Sequence, residues 1–126
     1  MRKIAIAKNH SRIRQVILYQ DENGVYLFPC TSLEDGFAEG DQWYEDLETA
    51  ESVCMSEYGI TNDDWQHIPD PVEYCLHDWV EPVRVVEVNT GKPQWGQLEK
   101  LTDGVWKEIE QREGQWVCKV KPSSAD

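Results

Sequence analysis

Between Gln15 and Val83 the sequence contains no lysine and no arginine, although the same 69 positions carry 17 Asp or Glu. So one-signed a segment repels phosphate, which disfavours nucleotides and nucleic acids as ligands. The cations are gathered at the ends. Arg2, Lys3, Lys8, Arg12 and Arg14 lie in residues 1–14 without an acid, and residues 84–126 hold seven bases against seven acids. That first stretch is the only one with the charge to face a nucleic acid.

Other absences narrow the possibilities further. No run approaches the 18 to 20 apolar residues of a membrane span. The opening "MRKIAIAKNH" is basic but lacks an apolar h-region, so no secretory signal and a cytoplasmic location are expected. None of Cys30, Cys54, Cys75 and Cys118 forms a C-x-x-C pair, so reduced, buried thiols are expected rather than disulfides. No G-x-G-x-x-G, G-x-x-x-x-G-K-[ST] or G-x-S-x-G occurs, so no cofactor is implied and the residues name no small-molecule ligand.

What remains is an acidic, aromatic chain of 126 residues with a formal charge of −12, six Trp and five Tyr but only two Phe. The length suits one domain, here expected over residues 1–121 with a frayed tail at 122–126.

In "KIAIAK" the residues alternate with period two, and "RIRQVILYQ" is rich in β-branched and aromatic side chains, so both predict strands. Asn23-Gly24, before "VYLF", predicts a type I′ hairpin, since both residues tolerate positive φ. In "DLETAESVCMSEYGI", Leu47, Ala50, Val53, Cys54 and Tyr58 form one apolar stripe. Asp46 is placed to cap that helix, Gly59 to stop it, and Ile60 to fold back on its last turn. Thr61 and Asp64 predict a short capped turn. "PDPVEYCLHDW" predicts a second short helix, with Asp70 as cap and Pro71 at its first position. From "VRVVEV" onward four strand-sized runs appear, the last three punctuated by Asp103-Gly104 and Glu113-Gly114. The expected fold class is α+β, with N-terminal strands and a hairpin, one main helix and a C-terminal antiparallel β meander.

The chemistry-bearing residues are few. Cys75, His77 and Asp78 are the only close grouping of thiol, imidazole and carboxylate, the kit of an activated nucleophile. Cys75 and His77 share a face if the segment is extended and oppose one another if it is helical. The default is a buried cysteine beside a surface histidine. His67, Cys75 and His77 include only one of the two close ligand pairs usual for zinc. The acidic loops lack calcium-loop spacing. No metal is expected.

The acidic segment itself is the strongest candidate. Net charge aids solubility, which is its ordinary reading. Excluding every base, however, forgoes local ion pairs, and the acids are interleaved with aromatics, the commonest binding anchors. The expected binding residues are Asp41, Trp43, Tyr44, Glu45, Asp63, Asp64, Trp65 and Trp79. Their expected partner is a basic protein, with no membrane involved and nucleic acid disfavoured. Underneath lies the expectation that the acids gather into one patch. The alternatives are a small enzyme using Cys75 and His77, or an assembly subunit without catalysis.

From Tyr58 to Trp106, the order "YGI…DW…IPDP…C…DW…PVRV…GKPQWG…LEKL…DG.W" resembles small, acidic, uncharacterised bacterial single-domain proteins, some of the kind found among toxin-immunity genes. The resemblance implies an inhibitor or immunity role and transfers no catalytic residue.

Overall fold

The structure, a computed structural model, describes residues 1–119. The expected tail at 122–126, and Val120 and Lys121 before it, lie outside the described residues. Two compact units form. One is Met1–Asp70 with His77–Val80, and the other is Pro71–Leu76 with the described residues from Glu81 onward. The chain passes between them at 70–71, 76–77 and 80–81, so no single linker marks the division.

The first unit is a five-stranded antiparallel sheet with one helix. Strands β1 (Arg2–Ile6), β2 (Gln15–Asp21), β3 (Gly24–Cys30), β4 (Gln42–Tyr44) and β5 (Gln66–Ile68) lie in the order β4-β3-β2-β1-β5. Val16, Leu18, Val25 and Leu27 point to one face and pack on Ala50, Cys54 and Tyr58 of helix α1 (Leu47–Tyr58). Ile17 and Phe28 point to the other face, joined by Ile4, Tyr19, Tyr26, Ala38 and Val80. The central strands are therefore apolar on both sides.

Helix α1 follows its local signals. Asp46 accepts from the Thr49 N–H at 2.8 Å. Gly59 takes the left-handed conformation at φ 67, and Ile60 donates back to the Cys54 carbonyl at 3.2 Å, a Schellman-type stop. The Thr61–Asp64 capping box closes a short 3-10 turn at Asn62–Asp64.

The β2–β3 hairpin forms one residue away from the expected turn. Glu22 and Asn23 are its two central residues, neither with positive φ, and Gly24 is already in β3 opposite Asp21. Gly24 instead takes φ 137 beneath a tryptophan, as described below.

The second predicted helix is not there. Residues 69–82 run through turns, and Tyr74 sits in the left-handed region at φ 69. A residue distant in sequence holds both ends of this segment. Arg2, 3% exposed, donates to the carbonyls of Pro69 at 2.9 Å, His77 at 3.1 Å and Val80 at 3.0 Å, and also to that of Trp79.

The second unit is an antiparallel meander of β6 (Val83–Val85), β7 (Leu98–Thr102), β8 (Val105–Arg112) and β9 (Gln115–Cys118), in that order. Asp103-Gly104 and Glu113-Gly114 have positive φ at both residues, as type I′ turns require. Arg84 anchors the meander, 2.7 Å from Glu99 and with its guanidinium 3.8 Å above the Trp106 ring. Val83, Leu98 and Ile109 are buried. The α+β class with one main helix thus stands. Among the described residues no helix is long and apolar enough to cross a membrane.

Candidate functional site

Strand β4 forms the outer edge of the first sheet. It is short and polar but held on both sides. Before it, Arg12 pairs with Glu39 at 2.7 Å. The Asp78 carboxylate accepts from the Ala38 N–H at 2.8 Å, and Asp35 accepts from the Val80 N–H at 2.7 Å. These bonds pin the loop from Thr31 to Asp41. Immediately after β4, the Asp46 cap starts α1. Between the two anchors Gln42–Tyr44 pairs with Val25–Leu27.

Trp43 lies across this edge, 54% exposed. Its indole covers Gly24, where a Cβ would come within 2.7 Å of Cε2 and Cζ2, and its Nε1 donates to the Asn23 carbonyl at 3.2 Å. The ring is seated while much of it faces solvent. Tyr44 points to the opposite face and packs with Leu47 against the core.

Four carboxylates share this edge. Asp21 and Glu22 belong to the hairpin turn beneath the indole, and Asp41 and Glu45 flank Trp43 along the chain, whereas Asp46 and Glu48 open α1, which packs on the opposite face of the sheet. None of Asp21, Glu22, Asp41 and Glu45 joins an ion pair among the described residues. Asp46 is held below the usual carboxylate range by its bond to the Thr49 N–H, so it is charged at neutral pH.

The expectation of a single patch of seventeen acids is corrected. β1 runs between β2 and β5 and carries the N-terminal bases into the acidic segment. Lys3 pairs with Glu51 and lies 4.9 Å from the Trp65 ring centroid. Lys8 pairs with Asp64 at 2.6 Å. Burial lowers the pKa of the Arg2 guanidinium, and the charges of Asp35, Asp70 and Asp78 oppose that shift. The segment without bases is thus partly neutralised from outside itself. The first unit still holds five Lys or Arg against fifteen Asp or Glu.

The other expected residues separate accordingly. Asp41, Trp43, Glu45 and Asp63 are exposed. Asp64 is committed to Lys8 and Thr61, which hold its carboxyl down at about 2. Trp65 packs against the core, and Trp79, 2% exposed with Phe37 edge-on to it at 5.5 Å, is a core side chain rather than a surface anchor. Trp95, the most exposed of the large apolar side chains at 78%, had no pattern around it that marked it out.

Cys75, His77 and Asp78 each make contacts of their own. Cys75 is buried in the second unit, with its N–H donating to the Val72 carbonyl at 2.9 Å. The His77 ring lies 4.8 Å from that of Tyr19, and the half-buried Asp78 holds the Ala38 amide. No disulfide joins the cysteines; Cys30, Cys54 and Cys75 are buried, but Cys118 is exposed, contrary to expectation. Among the described residues no three metal-ligating side chains gather.

Comparison with protein families, with curated proteins and with solved structures returns no match.

Proposed function

We propose that the protein is a binding module that docks a basic protein through the β4 edge, with inhibition or immunity as its sharpest form. The observation that carries this reading is Trp43, seated on Gly24 and half in solvent, at an edge where Asp21, Glu22, Asp41 and Glu45 have no cationic partner among the described residues. Unpaired acids attract a basic surface and speed its encounter, and a rigid indole supplies contact area that slows its release. Elsewhere in the same segment, Glu51, Asp64 and Glu39 are paired with Lys3, Lys8 and Arg12, whereas the four acids at this edge are left to a partner's bases.

The test begins with basic proteins captured at low salt and identified by mass spectrometry, whose dissociation is then timed. Trp43→Ala should speed dissociation by about tenfold or more, as truncating an anchor worth roughly 2 kcal/mol does. A dissociation rate equal to that of the unaltered protein for every captured partner would contradict the reading.

A further inference from the structure

The β4 edge offers more than side chains. In β3, the Cys30 carbonyl accepts from Arg14 on the β2 side, whereas the Pro29 carbonyl accepts from Glu39 on the β4 side. Backbone groups alternate in direction along a strand, so Val25 and Leu27, which share the parity of Pro29, face β4. Their partners are Tyr44 and Gln42, and these are the hydrogen-bonded pairs. Tyr26 and Trp43 form the intervening pair, whose backbone groups point away from one another. The Trp43 N–H and C=O therefore project off the sheet, and among the described residues no hydrogen bond uses either of them.

Exposed edges are normally blunted by shortness, charge or proline. The opposite edge strand, β5, is followed directly by Pro69. β4 has neither proline nor lysine and is limited by its three-residue length and by the exposed Asp41 and Glu45 flanking Trp43, devices that a strand bearing bases would not meet as a barrier. Those charges also select the occupant. A second copy pairing antiparallel through this edge would set acids against acids, whereas a strand bearing bases would be drawn in.

We propose that the edge accepts one extended segment of a basic partner as an added antiparallel strand. The residue opposite Trp43 exchanges both backbone hydrogen bonds with it and rests its side chain on the indole, while lysine or arginine two places to either side meets Asp41 and Glu45. This rests on the docking function proposed above and specifies its geometry.

A nine-residue threonine peptide with valine at its centre, and a lysine two places to either side of the valine, is a sufficient probe. A second peptide differs only in an N-methyl group on that valine, which keeps every charge and removes the donor to the Trp43 carbonyl. With isotope-labelled full-length protein at low salt, the first peptide should shift the Trp43 amide resonance and slow its hydrogen exchange at least fivefold at saturation. The N-methylated peptide should bind about tenfold more weakly. Equal affinity of the two peptides with unchanged Trp43 exchange overturns strand addition. If both are also weakened alike by Asp41→Lys with Glu45→Lys, the charge-driven docking stands without it. Binding by neither peptide overturns strand addition as well, while the dissociation test with captured partners judges docking independently.

Discussion

Gly24 and Trp43 depend on one another: the indole occupies the space where any other residue at position 24 would place its Cβ, and the glycine has a φ of 137 that other residues rarely adopt. Gly24→Ala should therefore displace the ring and strain the turn, costing about 1–3 kcal/mol in urea denaturation. Trp43→Ala leaves the glycine undisturbed and removes a half-exposed side chain with one hydrogen bond, so its cost should stay near 1 kcal/mol. Equal stabilities for the two variants would show that the seat is not there.

Arg2 holds the 77–80 segment. Its guanidinium is buried among four backbone carbonyls, which lose their donor together if it is truncated. Arg2→Ala should destabilise the protein by about 3–5 kcal/mol. Lysine carries the charge but not the planar fork, so Arg2→Lys should recover less than half of the loss. Chemical denaturation of both variants, with hydrogen exchange at residues 77–80, checks this.

The main helix and the meander turns were legible because every local signal agreed. Asp46, Gly59 and the apolar stripe name the same twelve residues of α1, and Asp-Gly and Glu-Gly fall where two-residue hairpins need positive φ. The failed second helix had equally sound local signals in Asp70 and Pro71, but the segment runs through turns, with Tyr74 left-handed and both ends held by Arg2, remote in sequence. The same long-range pairing hid the neutralisation of the acidic segment, since Lys3 and Lys8 precede it in sequence and meet it only through β1. Trp43 stood among the expected anchors, but nothing along the chain distinguished it from the buried Trp79.

Acid should act on Asp64 and Asp78 in opposite directions. Lys8 and Thr61 hold the Asp64 carboxyl at about 2, below an unfolded value of about 3.9. A depressed carboxyl contributes stability that is present above the unfolded value and disappears as pH falls through the folded one. That contribution is therefore lost between about pH 4 and pH 2. Burial raises the Asp78 carboxyl, so the folded form binds its proton more readily than the unfolded chain does. Falling pH gains stability there until the unfolded value is reached. Carboxyl carbon NMR should give Asp64 a midpoint near 2 that rises in Lys8→Met, and Asp78→Asn should abolish the gain above about pH 4.

Thiol labelling separates docking from cysteine catalysis. Burial pushes Cys30 and Cys54 up to about 12, and a protonated, enclosed thiol is a poor nucleophile. Cys75 is buried as well, whereas Cys118 lies open on β9. Iodoacetamide at neutral pH should modify Cys118 first and leave the other three intact while the protein stays folded. Peptide mapping by mass spectrometry reads the order. Labelling of Cys75 as fast as that of Cys118 would favour the enzyme reading.

Unpaired carboxylates beside a seated indole form the centre of this account, and association kinetics test them most directly. The rate with a captured basic partner is to be measured against ionic strength for the unaltered protein and for Asp41→Lys with Glu45→Lys. The account predicts about a tenfold slower association for the variant at low salt, with a shallower salt dependence. Superimposable rate curves for the two proteins would contradict it.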